Sequence, residues 1–320
     1  MGLLVEGKWV DQWYDTEKTG GRFVRTQPQF RHWITADGSA GPTGQAGFKA
    51  EAGRYHLYLS LACPWASRVL MMRTLKGLED MISISIVHPL MLENGWTFEE
   101  GEGVIGDPIF KARYLYEVYT AVQPDYTGRV TVPVLFDRKT KTIVNNESSE
   151  IIRMLNSAFD GLGAKPGDYV PTEWLEEINA VNDFVYHRIN NGVYKAGFAT
   201  KQAVYEEEVA SLFAALDQME EWLAGQDYLV GNCLTEADIR LFTTLVRFDS
   251  VYFGHFKCNL KPLVAYPNLW AYTKRIYQLS GIADTVHFDH IKRHYYGSHK
   301  TINPTGVTPL GPLLDWEKKS

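Results

Sequence analysis

Hydrophobic and polar positions change rhythm twice along this chain. From residue 1 to about 50 no period lasts, and the segment reads as an irregular extension that wraps a folded domain. From Tyr55 alternation sets in. Tyr55-His56-Leu57-Tyr58-Leu59-Ser60-Leu61 reads as a strand ending in Ala62-Cys63-Pro64-Trp65, and Ala66 to Lys76 as a helix closed by Gly77. Met81 to Val87 is a second strand. A loop with Asn94-Gly95-Trp96 follows, then a helix from about Lys111 to Ala121. Val130 to Phe136 and Thr140 to Val144 read as two strands joined by a turn, and Glu147 to Leu155 as a helix. Beyond the Gly/Pro-rich linker Gly161–Gly167 the pattern becomes helical, over about 172–190, 201–224, 235–248 and 267–279. Thr235-Glu236-Ala237-Asp238 can cap the third of these, because a Thr hydroxyl accepts an N–H and an acidic group suits the positive helix end. The last thirty residues carry Pro304, Pro309 and Pro312 and read as a non-helical tail.

The order β-α-β-α-β-β-α is the thioredoxin-like arrangement, with parallel strands first and an antiparallel hairpin later. The fold class is therefore α/β plus all-α. An extension over 1–50 precedes a thioredoxin-like domain over 51–160, an all-helical domain over 168–296 and a tail over 297–320. A length of 320 residues suits two domains, and 45% apolar with 13% aromatic residues argues against disorder. The net charge of −6, with basic residues only in short stretches such as Lys318-Lys319, argues against nucleic-acid binding. No apolar run approaches the roughly 18 residues of a membrane span. Met1-Gly2-Leu3-Leu4-Val5-Glu6 resembles neither a secretory signal nor a myristoylation site. Three cysteines, Cys63, Cys233 and Cys258, stand far apart, which suits a reducing compartment and a cytoplasmic location. The Gly-rich stretch 38–47 lacks a Gly-Lys-Ser/Thr ending and follows no strand, so it reads as a loop rather than a phosphate cradle.

The chemistry centres on Cys63. It stands where a strand hands over to a helix, with Pro64 at the first helical position, where a missing N–H costs nothing. Unpaired first-turn N–H groups then favour a thiolate. A thiol of ordinary pKa is only about 3% ionised at pH 7, and about 2.7 kcal/mol of differential stabilisation makes most of it reactive. Ala66 occupies the position where a second cysteine would resolve a mixed disulfide, so an outside thiol must do so. Val132-Pro133 falls where thioredoxin-like folds carry a cis-proline facing the active-site helix, with backbone groups that can pair with an extended peptide. Glu147-Ser148 opens a helix and could hold the γ-glutamyl end of glutathione.

A thioredoxin-like domain followed by a helical one resembles the glutathione transferases. One branch in particular is similar, the glutathionyl-hydroquinone reductases or Xi class. The resemblance rests on Cys63-Pro64-Trp65-Ala66, Val87-His88-Pro89 with Gly95-Trp96, Arg129-Val130-Thr131-Val132-Pro133-Val134 and Asn146-Glu147-Ser148. It extends to the tail His294-Tyr295-Tyr296-Gly297-Ser298-His299 with Ile302-Asn303-Pro304. It implies that Cys63 is the nucleophile and that Trp96, Arg129, Val130, Thr131, Val132, Glu147 and Ser148 bind glutathione. It also implies that Tyr194 exchanges a proton with a phenolic substrate and that Tyr252 and Tyr295 hydrogen-bond the thiolate. The implied reaction removes glutathione, a co-substrate, from a glutathionyl-hydroquinone, with no metal, in a homodimer whose interface lies largely after about residue 202. An Omega-like thioltransferase or dehydroascorbate reductase would use the same cysteine, and a non-catalytic transferase-fold module is the alternative from another class. His287, His290 and His294 share one helical face without a completing ligand and are not read as a metal site. Cys233 and Cys258 are expected to be inert.

Overall fold

The computed structural model describes residues 2–316, so the Lys318-Lys319 pair lies outside the described residues. The chain divides into two units. One comprises the chain through Trp13 with Thr26–Gly167, and the other Tyr14–Arg25 with the chain from Asp168 onward. The first fifty residues are thus shared between the units rather than forming one extension. They are also not wholly irregular. β1 (Leu3–Val5) and β2 (Lys8–Val10) form a hairpin, with Glu6 and Gly7 both at positive φ as a two-residue turn requires. Three-residue strands are too short to print a period in the sequence, which is why this hairpin escapes pattern reading.

The central sheet of the first unit contains β3 (Tyr55–Leu59), β4 (Ile82–Ile86), β6 (Val134–Asp137) and β7 (Thr142–Asn145), in the order β4-β3-β6-β7. β3 and β4 run parallel, bridged by α1 (Pro64–Leu75). β6 runs antiparallel to β3 and to β7. α2 (Leu115–Val122) precedes the two-residue β5 (Gly128–Arg129), which joins β1 in a small second sheet, and α3 (Ser148–Ser157) follows β7. The thioredoxin-like order stands, with helix boundaries a few residues from those expected.

All five residues of β3 are buried, although the sequence alternates. The polar positions on its second face are satisfied internally. Ser83 and Ser85 hydroxyls lie 2.8 and 2.9 Å from the two His56 ring nitrogens, and the Tyr58 hydroxyl donates to Asp107 at 2.9 Å.

The second unit is helical: α4 (Leu175–Val185), α5 (Gly192–Gly197), α6 (Gln202–Trp222), α7 (Glu236–Leu245), α8 (Pro267–Tyr277) and α9 (Phe288–Ser298). Two π-helical turns interrupt it, Tyr186–Asn190 and Phe248–Tyr252. Thr235 is the N-cap of α7, held by the acidic residue of the expected cap: the Asp238 carboxylate accepts from the Thr235 amide at 2.7 Å and from the Thr235 hydroxyl, which donates, at 2.9 Å. The non-helical tail starts later than the prolines suggest, because they lie beyond Ser298 and leave α9 intact.

Burial holds the His56 imidazole down to about 4. Below about pH 6.5 the unfolded chain gains a proton that the folded chain refuses until about pH 4, so stability falls across that window. The contribution at stake is on the order of 3 kcal/mol. We therefore expect the urea midpoint to drop between pH 7 and pH 4.5, and His56→Asn to flatten the dependence. A midpoint equally pH-dependent in the variant would assign the effect elsewhere.

Candidate active site

Cys63 is the N-cap of α1, in extended conformation, with Pro64 at the first helical position and no acidic residue in the first turn. The positive helix end therefore has no carboxylate of its own to answer it. The half-buried sulfur lies 3.7 Å from the Val132 carbonyl, to which a protonated thiol donates. The Val132–Pro133 peptide is cis, as expected. Ala66 is fully buried one turn into the helix.

The segments expected to hold glutathione lie in this same unit. Leu4 and Leu3 of β1 pair with Gly128 and Arg129, and the Arg129 guanidinium donates to the Gln12 carbonyl. The neighbouring Thr131 amide and carbonyl both bond the Tyr119 hydroxyl, at 3.3 and 2.9 Å. Trp96 is buried, its carbonyl accepting from the Leu115 amide at 2.9 Å. The preceding Gly95, at φ +66°, sits under the Trp9 ring, where a Cβ would come within 2.6 Å of that ring. Glu147 caps α3, one carboxylate oxygen accepting from the Ser149 amide at 2.9 Å. Ser148 is buried and its hydroxyl accepts from Arg68 at 3.4 Å, while the Arg68 guanidinium lies 4.4 Å over the Trp65 ring. Sequence reasoning missed Tyr119 and Arg68. Each acts across at least 12 residues of chain on backbone or hydroxyl groups, a relation that leaves no local spacing to read.

In the helical unit three of the expected residues meet. The Tyr295 hydroxyl lies 2.5 Å from that of Tyr194 and 3.1 Å from that of Tyr252. The two π-helical turns end close before Tyr194 and at Tyr252, and such turns often mark functional positions. Burial raises the Tyr252 and Tyr295 phenols well above their usual range, so both stay protonated and able to donate. Next to them His255 and His299 share a hydrogen bond of 3.1 Å. Burial pushes both imidazoles down, His255 to about 4, and keeps the pair neutral. Phe23 and Arg25 were not foreseen. The Arg25 guanidinium lies 5.0 Å over the Tyr194 ring and donates to the Asn191 side chain at 3.1 Å.

Residues 62–158 match the glutathione S-transferase N-terminal domain, and residues 202–275 the C-terminal domain. The chain is 57% identical to glutathionyl-hydroquinone reductase YqjG of Escherichia coli (strain K12), over 99% of this chain and 97% of that protein. The chain belongs to the glutathionyl-hydroquinone reductases. Glutathionyl-hydroquinone reductase PcpF of Sphingobium chlorophenolicum is 56% identical over 98% of this chain and 96% of its own. The glutathione-bound structure of YqjG superposes with a TM-score of 0.91 at 54% identity, covering 98% of this chain and 97% of that one. A Xi-class glutathione transferase from Natrialba magadii gives 0.90 at 48% identity, covering 99% and 95%. The fold is that of the glutathione transferases, and this family is their Xi class.

Within this Xi-class chain the other two thiols sit in different surroundings. Cys258 is fully buried and burial pushes its thiol up, and burial likewise raises Cys233, helped by nearby Asp238. Of the histidines on α9, His290 and His294 are buried, and the His294 ring packs on Tyr295. Among the described residues no three His, Cys, Asp or Glu side chains are grouped to hold a metal ion. Brief treatment with iodoacetamide at pH 7, followed by peptide mass mapping, should label Cys63 alone. Equal labelling of Cys233 would move the reactive thiol.

Proposed function

We propose that this protein is a glutathione-dependent reductase that removes glutathione from glutathionyl-hydroquinones through Cys63. One observation carries the reading: a lone thiol caps α1 beside the Val132 carbonyl, with Ala66 where a resolving cysteine would stand. Such a thiol can form a mixed disulfide but cannot release it internally. The two curated relatives named above, matched over 97% and 96% of their lengths, are glutathionyl-hydroquinone reductases, which supports the substrate.

The Cys63 thiolate attacks the glutathionyl sulfur. A sulfur–sulfur bond forms, the carbon–sulfur bond breaks, and its electron pair stays on the ring carbon, which takes a proton. Hydroquinone leaves, and Cys63 holds glutathione as a mixed disulfide. A second glutathione thiolate attacks that disulfide, departs as glutathione disulfide and regenerates the Cys63 thiolate. Tyr194 is assigned the proton transfer to the ring, a role that its hydroxyl bond to Tyr295 supports by orienting the phenol. Tyr252 and Tyr295, kept protonated by burial, are assigned to hydrogen-bond the thiolate. Trp96, Arg129–Val132 and Glu147-Ser148 are assigned to glutathione.

We also propose a cytoplasmic homodimer. None of the three cysteines is in a disulfide, and no helix among the described residues is long and apolar enough to cross a membrane. In the tail, Val307, Leu310 and Leu313 are 70%, 93% and 96% exposed, an apolar series that a second copy could cover. Sedimentation at two protein concentrations should return twice the chain mass, and a monomer at both would remove the dimer.

Cys63→Ala should abolish turnover of a glutathionyl-hydroquinone, and wild-type protein given substrate without free glutathione should gain one glutathione mass on Cys63. Tyr194→Phe should still form that adduct but lower kcat by about a hundredfold. Full activity in Cys63→Ala would end the mechanism. Unchanged kcat in Tyr194→Phe would reassign the proton.

A further inference from the structure

We propose that Tyr119 is a positioning residue whose hydroxyl sets the spacing between the two chain segments that hold glutathione. The inference rests on the assignment of Arg129–Val132 and Glu147-Ser148 to glutathione made above. Thr131 lies between β5 and β6, outside either ladder, so no neighbouring strand takes up its polar backbone. The Tyr119 hydroxyl does so instead. It donates to the Thr131 carbonyl at 2.9 Å and accepts from the Thr131 amide at 3.3 Å. It also accepts from the Asn146 side-chain amide at 3.3 Å, which fills the one donor and two acceptor places of a phenol.

Asn146 immediately precedes Glu147 and Ser148, so one oxygen atom ties the strand-side segment to the start of α3. Asn146 is fixed from its other side as well. Its amide donates to the Phe30 carbonyl at 3.1 Å, and its side-chain oxygen accepts from the Phe30 amide at 3.2 Å. Phe30, Tyr119 and Tyr126 pack ring to ring at 5.2 to 5.9 Å, so the phenol has little room to turn. Tyr119 is fully buried, and burial keeps it protonated.

A tripeptide bound through backbone groups at one segment and a helix start at the other is sensitive to the distance between them, since displacements near 1 Å already cost binding and rate. A small reagent that meets only the sulfur does not feel that distance. The two properties should therefore separate in Tyr119→Phe, which keeps the ring and removes the oxygen. We expect calorimetric binding of S-methylglutathione to weaken about five- to tenfold. The rate of Cys63 alkylation by iodoacetamide should stay within about twofold of wild type, and the melting temperature should show that the variant is folded. Unchanged affinity would overturn the proposal. So would binding and alkylation falling together, the mark of a general loosening. A wild-type chain that binds no S-methylglutathione would instead remove the glutathione assignment on which the proposal stands.

Discussion

Strand direction is the constraint on which the thiol-bearing unit depends. β3 and β4 run parallel, with Leu59 opposite Ile86, so the chain leaving β3 toward Cys63 and the chain leaving β4 toward Trp96 emerge at the same end of the sheet. β6 runs the other way, with Tyr58 opposite Val134, which brings its start, and Val132-Pro133 before it, to that end too. β7 reverses again, with Leu135 opposite Asn145, and delivers Glu147 and α3 there. Four segments far apart in sequence are thus gathered by three pairings. Had β6 paired parallel to β3, the Val132 carbonyl could not lie 3.7 Å from the sulfur.

That convergence decides what a cysteine can do. Cys63, Cys233 and Cys258 are the same residue in three surroundings. Burial raises the second and third thiols and keeps them in their unreactive form. Cys63 stands at a helix start with no acidic residue in the first turn, half open to solvent. Helix starts favour a thiolate, and of the three cysteines Cys63 is the one that caps a helix with no acidic residue in its first turn.

Much of this was legible in the sequence because it is local. The run from Tyr55 to Gly77 prints strand, cap, proline and helix in order, and Val132-Pro133 is a dipeptide with a fixed place in the fold. The helical half was legible as helices, and Thr235 to Asp238 as a cap. What escaped was either too short or too distant to leave a pattern. The β1–β2 hairpin has three residues a side. Residues 14–25 belong to the helical unit through Arg22, bonded to Glu207 and Glu208, and through Phe23 packed on Phe198. Neither contact has a counterpart nearby in sequence. Tyr119 and Arg68 read as ordinary helix residues, and only their partners across the unit make them more. Among 18 tyrosines, Tyr194, Tyr252 and Tyr295 could be singled out through family resemblance, not through spacing, since 58 and 43 positions separate them along the chain.

The proposed role of the tyrosine cluster follows from what thiol exchange alone leaves out. Exchange between sulfurs needs no proton on carbon. Cleaving a carbon–sulfur bond leaves an electron pair on a ring carbon, and the reaction proceeds only if that carbon is protonated as the sulfur departs. A phenol in bulk water can serve as a donor but is unoriented. Tyr295 is fully buried, bonded on one side to Tyr194 and on the other to Tyr252, and packed against His255 and His299, which burial keeps uncharged. A charged imidazole beside these hydroxyls would pull the phenols toward phenolate, against the proton-donor role proposed for Tyr194. The neutral histidine pair therefore suits the proton transfer proposed for this cluster as well as the hydroxyls do.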